Sequence, residues 1–138
     1  MLTQKADLIF GAGYEETLRP SIEKIAGCPL IRMGGYSIFD YANSINSVFV
    51  ELKSRRVKHD DYPTAIVGLN KIRVACEDPT KIYYFCFNYT DGLYYIKFDK
   101  TLFSSFESNK GYWRSDRDDC VNYAQNIVYI PVGLLTRF

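Results

Sequence analysis

Acidic and basic residues lie close together around one predicted hairpin. Asp40 stands near the end of a predicted strand over residues 36–41, and Glu51 and Lys53 lie near the end of a second strand over residues 48–53, across the polar turn "ANSINS". Such a hairpin brings the two carboxylates together at one end of a sheet. Because side chains alternate along a strand, Glu51 and Lys53 share a face that the intervening residue does not.

Two carboxylates and a lysine in this pattern could hydrolyse phosphodiesters with a metal ion. Asp40, Glu51 and a backbone carbonyl such as that of Leu52 suit Mg²⁺, with Mn²⁺ as its substitute. The cation can activate water and neutralise phosphate charge, and Lys53 could position the water or stabilise the developing negative charge. An acidic-x-basic triplet alone commonly lines a solvent-facing strand. Here the upstream Asp40 and the flanking predicted helices strengthen the catalytic interpretation.

The first half of the chain is predicted to be helix, hairpin, helix. Helical spacing in "YEETLRPSIEKIAG" predicts a helix that stops at Gly27, where Pro20 either kinks the helix or opens a new turn. A second helix is predicted in "YPTAIVGLNKIRVACED", with Pro63 at its first position. Its apolar face consists of Ala65, Leu69, Ile72 and Cys76.

The second half changes to strand periodicity. The segment "KIYYFCFNYTDGLYYIKFD" predicts two strands joined at residues 88–92 by the turn signal "TDG", and "NIVYIPVGLL" predicts a last strand that ends at Pro131. The order helix, strand, strand, helix, strand, strand predicts an α/β fold with a mixed sheet flanked by helices.

Length and composition indicate one domain over residues 1–138. The chain has 138 residues, of which 47% are hydrophobic, enough for a single core. The apolar runs are short and the N-terminus lacks signal-peptide features, so we expect an intracellular protein without membrane association. A formal net charge of +1 excludes neither nucleic acid nor small molecules. The four cysteines lack zinc-site spacing, and the absence of P-loop, GxGxxG and GxSxG motifs disfavours a small-molecule enzyme.

The motifs "GYEETLRPSIEKI", "FVELKSR", "YPTAIVGLNKI" and "FNYTDGLYYIKFD", over about residues 11–100, resemble the PD-(D/E)XK nuclease superfamily. The closest likeness is to the small stand-alone nucleases of large DNA viruses and phages, although Phe39 stands where the family name has proline. The resemblance implies a restriction-endonuclease-like αββαβ core. It also implies a Mg²⁺-dependent deoxyribonuclease, encoded by a virus or phage and compatible with a homodimer, with Asp40, Glu51 and Lys53 in the active site.

The resemblance further implies an acidic residue from the first helix at the metal. Glu15 is the expected residue and Glu16 the alternative, whereas Glu23 is expected to be solvated. Substrate contacts are expected from Ser54 and Arg55, which follow the catalytic strand, and from Asn70 and Lys71 on the second helix. For Lys71, a solvent-facing position is equally open.

A different class of function stays open on the same fold. A catalytically silent nucleic-acid-binding or protein-interaction module would keep the architecture without turnover. Metal-dependent cleavage separates the two alternatives.

Overall fold

The computed structural model describes residues 16–109 and 127–138. Helix α1 covers residues 16–26 of this part. The remaining elements, in chain order, are β1 (Ile31–Arg32), β2 (Tyr41–Ala42), β3 (Val48–Ser54), β4 (Thr64–Gly68), α2 (Leu69–Glu77), β5 (Ile82–Tyr89), β6 (Gly92–Lys97), α3 (Lys100–Phe103), β7 (Ser108–Asn109), β8 (Ile127–Pro131), a 3₁₀ turn (Val132–Leu134) and β9 (Thr136–Arg137).

The strands form a large mixed sheet and a small antiparallel one. The large sheet has the order β1-β2-β3-β5-β6-β9, in which β3 and β5 are parallel and the other pairs antiparallel. The small sheet has the order β4-β8-β7. The predicted α/β class with a mixed sheet and helices is thereby confirmed, and the architecture is consistent with a restriction-endonuclease-like core.

Alternating side chains of β5 divide the core in two. Phe85 and Phe87 pack on one face of the large sheet with residues of α2, β4 and β8. Cys86 packs on the other face with Ile22 of α1 and Leu52 of β3. Because both faces are covered, β5 is apolar at consecutive positions from Ile82 to Phe87 rather than at every second position.

The predicted strand over residues 36–41 is wrong, because only Tyr41–Ala42 pairs there. Residues 34–40 form turns and bends instead, closed by a hydrogen bond from the backbone N–H of Met33 to the carbonyl of Asp40 (2.8 Å). The antiparallel partner of β2 on this side is Ile31–Arg32. The loop of residues 34–39 places Phe39 in the core, where this residue is 4% exposed.

The second predicted helix begins later than expected. Residues 64–68 form β4, which pairs with β8 along its full length, and the helix begins only at Leu69. Ala65 and Val67 are buried at strand spacing. The prediction of Ala65 on the helical face is wrong, because a single apolar residue fits either period and the pairing with β8 decides between them.

Other predicted elements are confirmed. Within the described residues, α1 continues across Pro20 and ends before Gly27, whose positive φ of 77° lets it close the helix through a 2.8 Å bond from its N–H to the Glu23 carbonyl. The β5–β6 hairpin and the strand ending at Pro131 also form as predicted.

Candidate functional site

The turn between β2 and β3 is fixed by one side chain. The Asn43 Oδ1 atom accepts hydrogen bonds from the backbone N–H groups of Ser47 (2.8 Å) and Val48 (3.0 Å), and Asn43 Nδ2 donates to Ser47 Oγ (2.8 Å). The ladder pairs Tyr41 with Val50. Continuing this antiparallel register by one residue places Asp40 opposite Glu51.

Asp40 is held at β3 by its own side chain. Its Oδ2 atom accepts a hydrogen bond from the backbone N–H of Leu52 at 2.9 Å. Its negative charge is close enough to raise the pKa of Glu51. The structure therefore brings these two carboxylates together at the end of the hairpin.

Glu51 is a buried carboxylate with one engaged oxygen. Its Oε2 atom forms an ion pair with Lys71 Nζ at 3.0 Å, whereas Oε1 has no hydrogen-bond partner among the described residues. Burial is the main reason that the pKa of Glu51 rises to about 7, and the charge of Asp40 adds to it; Lys71 and Lys53 act in the opposite direction. Near neutral pH both protonation states of this group are therefore populated.

Lys53 follows on the same face of β3 and is half-buried. Burial lowers the pKa of its ammonium, the positive charges of Arg55 and Lys71 lower it further, and Glu51 and Asp40 oppose this shift. The site thus combines two acidic groups with two lysines, and the pKa of Glu51 reflects both the repulsion from Asp40 and the attraction of the lysines.

Lys71 reaches the site from α2. Its Nζ atom donates to the backbone carbonyl of Ile38 (2.5 Å) in addition to pairing with Glu51, and it lies 6.0 Å from the centre of the Phe39 ring. The side chain is only 19% exposed, so the alternative of a solvent-facing Lys71 is wrong. The sequence had no signal for the ion pair, because it joins residues from β3 and α2 that only the fold brings together.

The other predicted substrate residues lie at the rim. Ser54 ends β3 and its Oγ accepts a hydrogen bond from Asn88 Nδ2 (3.4 Å), while Arg55 is exposed just beyond it. Asn70 is exposed in the first turn of α2, and its side-chain oxygen lies close against Gly68. Their role in substrate binding stays a prediction.

The helix carboxylates differ from the expectation in one respect. Glu15 lies outside the described residues. Glu16 is exposed and forms an ion pair with Arg19 (3.1 Å). Glu23 was expected to be solvated, which is wrong: it is half-buried, and its Oε2 accepts a hydrogen bond from the backbone N–H of Leu30 (2.8 Å), fixing the approach to β1.

A second cluster of titratable groups was missed from the sequence. The ligand atoms of His59, Asp60 and Asp91 lie within 4.8 Å of one another. Asp91 Oδ2 is 2.6 Å from His59 Nδ1, and its Oδ1 accepts a hydrogen bond from the His59 backbone N–H (3.0 Å). The adjacent His59 and Asp60 were visible in the sequence, but Asp91 belongs to the "TDG" turn and gave only a turn signal. These donors could hold a cation, although the two Asp91 oxygens already accept from His59.

In the described part of the chain, no helix has both the length and the apolarity needed to cross a membrane.

Comparison with known proteins agrees with the resemblance seen in the motifs. A search of curated proteins and a search of solved structures gave no match. A family model described as "Phage putative PDDEXK endonuclease" matches residues 12–138, almost the whole chain. With this match beside the mixed sheet and the paired carboxylates, the chain belongs to this phage family of PD-(D/E)XK nucleases.

Proposed function

We propose that the protein hydrolyses DNA phosphodiester bonds with a divalent metal ion held at Asp40 and Glu51. The observation that carries the proposal is the buried Oε1 atom of Glu51, which lacks a partner among the described residues and lies beside a second carboxylate. A buried carboxylate oxygen without a partner destabilises the fold, so its presence calls for an explanation such as a bound ion. Family membership supports the nuclease class.

The donor set fits a hard cation. Asp40, Glu51 and the backbone carbonyl of Leu52 would supply oxygen ligands, as Mg²⁺ prefers, with Mn²⁺ as its substitute, and Glu15 is proposed as a supporting ligand. When bound, the cation would supply Lewis-acid activation of water and neutralisation of phosphate charge. The bond from the Leu52 N–H fixes Asp40 Oδ2 and thereby orients this carboxylate in advance.

Lys53 and Lys71 would act on the attacking water or on the substrate phosphate. Lys53, with a pKa lowered mainly by burial, orients the attacking water or donates to a non-bridging phosphate oxygen. Lys71 neutralises Glu51 in the free protein and can donate to the phosphate once this pair opens. Ser54, Arg55 and Asn70 would contact the nucleic-acid backbone at the rim.

The test is cleavage of supercoiled, linear, single-stranded and branched DNA in Mg²⁺, Mn²⁺ or EDTA. We expect cleavage only with metal, and a loss of at least about 100-fold for Glu51→Gln, because removal of one electrostatic stabiliser typically costs this much. Glu77→Gln, on the exposed side of α2, is the matched control and should cleave like the unaltered protein. Cleavage in EDTA, or an unchanged rate for Glu51→Gln, would contradict the proposal.

The second candidate is a nucleic-acid-binding module without turnover. The ion pair between Lys71 and Glu51 favours it, since an ammonium already compensates the carboxylate that a metal would need. Binding of DNA without cleavage in every metal would identify this function. The proposed setting in either case is DNA inside the phage-infected cell, and a homodimer is compatible with it.

A further inference from the structure

A cavity of about 340 Å³ opens beside the end of β3. Its floor is aromatic: Phe87 and Tyr89 are 1% and 8% exposed, and their rings stack with centres 6.2 Å apart. Tyr62 stands at the rim with 61% of its surface exposed. Because Phe87 and Tyr89 are almost fully covered, the exposed aromatic surface of the cavity is that of Tyr62.

The wall of the cavity is basic. Arg55, Arg56, Lys58 and His59 line it, and its described lining includes no carboxylate. Three carboxylates lie in or beside the same loop without lining the cavity: Asp61 Oδ2 accepts a hydrogen bond from the Lys58 backbone N–H (2.8 Å), Asp91 binds His59, and Asp60 lies 4.0 Å from His59 Nδ1. Basic side chains that line a cavity with an exposed aromatic ring suit a ligand that has both a flat ring and a negative charge.

The cavity adjoins the proposed cleavage site. Arg55 is two residues beyond Lys53, just after the end of β3, which corresponds to about 7 Å along the chain at 3.3 Å per residue. Phe87 of the cavity floor is the direct neighbour of Lys53 in the parallel ladder between β3 and β5. A ligand in the cavity would thus lie next to a phosphate bound at Lys53.

We propose that the cavity binds one unstacked nucleotide of a single-stranded nucleic-acid segment, adjacent to the phosphate that is cut. Its base stacks on the exposed ring of Tyr62, and its phosphate pairs with Arg55 and Lys58. A base inside a duplex must first leave its stack at a cost in free energy, so a single-stranded segment is the favoured ligand. This inference rests on the proposed function only for its position beside the reacting phosphate.

Binding can be measured without cleavage. The probe is a fluorescein-labelled single-stranded oligonucleotide of about eight nucleotides, with a blunt duplex of the same length beside it, titrated in EDTA. Tyr62→Ala should raise the Kd for the single strand roughly 5- to 150-fold, the usual range for loss of one base–aromatic stack. Tyr62→Phe keeps the ring and should restore affinity. Tyr36→Ala, likewise exposed but outside the cavity, should bind as the unaltered protein does.

The salt dependence tests the phosphate contact. Loss of the Lys58 side chain should make the slope of log K against log[salt] shallower by about 0.7, as expected for one phosphate contact with a single strand. Lys24→Ala, exposed on α1, should leave the slope unchanged. Both positions are exposed, so the variants should melt like the unaltered protein.

Three outcomes distinguish the hypotheses. Single-strand binding that is insensitive to Tyr62→Ala and Lys58→Ala, or an equal loss for duplex and single strand, overturns the cavity proposal even if the protein cleaves DNA. Selective loss of single-strand binding supports it even if no metal gives cleavage, in which case only the proposed hydrolysis fails. Selective loss together with metal-dependent cleavage supports both.

Discussion

At the scale of single residues, Glu51 is costly to the metal-free fold. The carboxylate is 6% exposed and faces the charge of Asp40, so its pKa in the folded protein is about 7, compared with an ordinary value of 4.5. Lys71 offsets only part of this cost. If the proposed cation binds at Asp40 and Glu51, it would offset this repulsion and so stabilise the fold.

The cost of Glu51 predicts a pH dependence of stability in EDTA. Because folding raises its pKa, the folded protein binds more protons than the unfolded chain between about pH 4.5 and 7. The contribution of Glu51 to the free energy of unfolding should therefore be largest at low pH and fall through this window, by about 2–3 kcal/mol between pH 5 and 8. The measurement is urea unfolding at both pH values.

The control is Glu51→Gln, which removes the titrating group and leaves the other groups in place. The difference in unfolding free energy between the two proteins isolates the contribution of Glu51. If this difference is the same at pH 5 and pH 8, the raised pKa is refuted.

At the scale of elements, the turn between β2 and β3 sets the geometry of the site. Asn43 caps two backbone N–H groups of this turn, which fixes the register that places Asp40 opposite Glu51. The geometry of the candidate site therefore depends on a residue that has no proposed role in catalysis.

Asn43→Ala should lower the free energy of unfolding by about 1–3 kcal/mol, because it leaves both half-buried N–H groups without an acceptor. Amide exchange at Ser47 and Val48 should accelerate, which reports the loss at the turn itself. Asn43→Asp keeps the accepting oxygen and should retain most of the stability. Ser44→Ala, exposed in the same turn, should change it by less than about 0.5 kcal/mol. Equal stability of the Ala and Asp variants at Asn43 would show that the cap contributes nothing.

At the scale of the whole molecule, Phe39 connects the site to the core between the two sheets. Its ring lies 5.6 Å from Phe49, 5.3 Å from Tyr83 and 6.3 Å from Phe85, and the same cluster includes Val67 of the small sheet. This explains why an aromatic residue occupies the position before Asp40. The Phe39 side chain attaches the loop of residues 34–39 to the core.

Phe39→Ala should destabilise the protein by about 3–5 kcal/mol, as expected when a buried aromatic side chain leaves a cavity. Phe39→Leu fills most of the space and should cost clearly less. Chemical denaturation gives both values, with Tyr36→Ala as an exposed control that should be near neutral. A Phe39→Ala protein as stable as the unaltered one would disprove the anchoring role.

The sequence by itself determined the local features of this protein. The β5–β6 hairpin, the end of α1 at Gly27 and the proximity of Asp40 to β3 all depend on residues close together in the chain, so periodicity and turn signals were enough. The roles of Asp40, Glu51 and Lys53 in hydrolysis stay proposals.

Only the tertiary structure decided the features that join distant segments. Residues 64–68 form a strand because β8, more than sixty residues later, offers them a partner. The ion pair of Lys71 with Glu51, the contact of Asp91 with His59 and the aromatic cavity likewise combine side chains from separate elements. Such contacts depend on how the chain returns on itself, which no local period encodes, and their energies override local propensity.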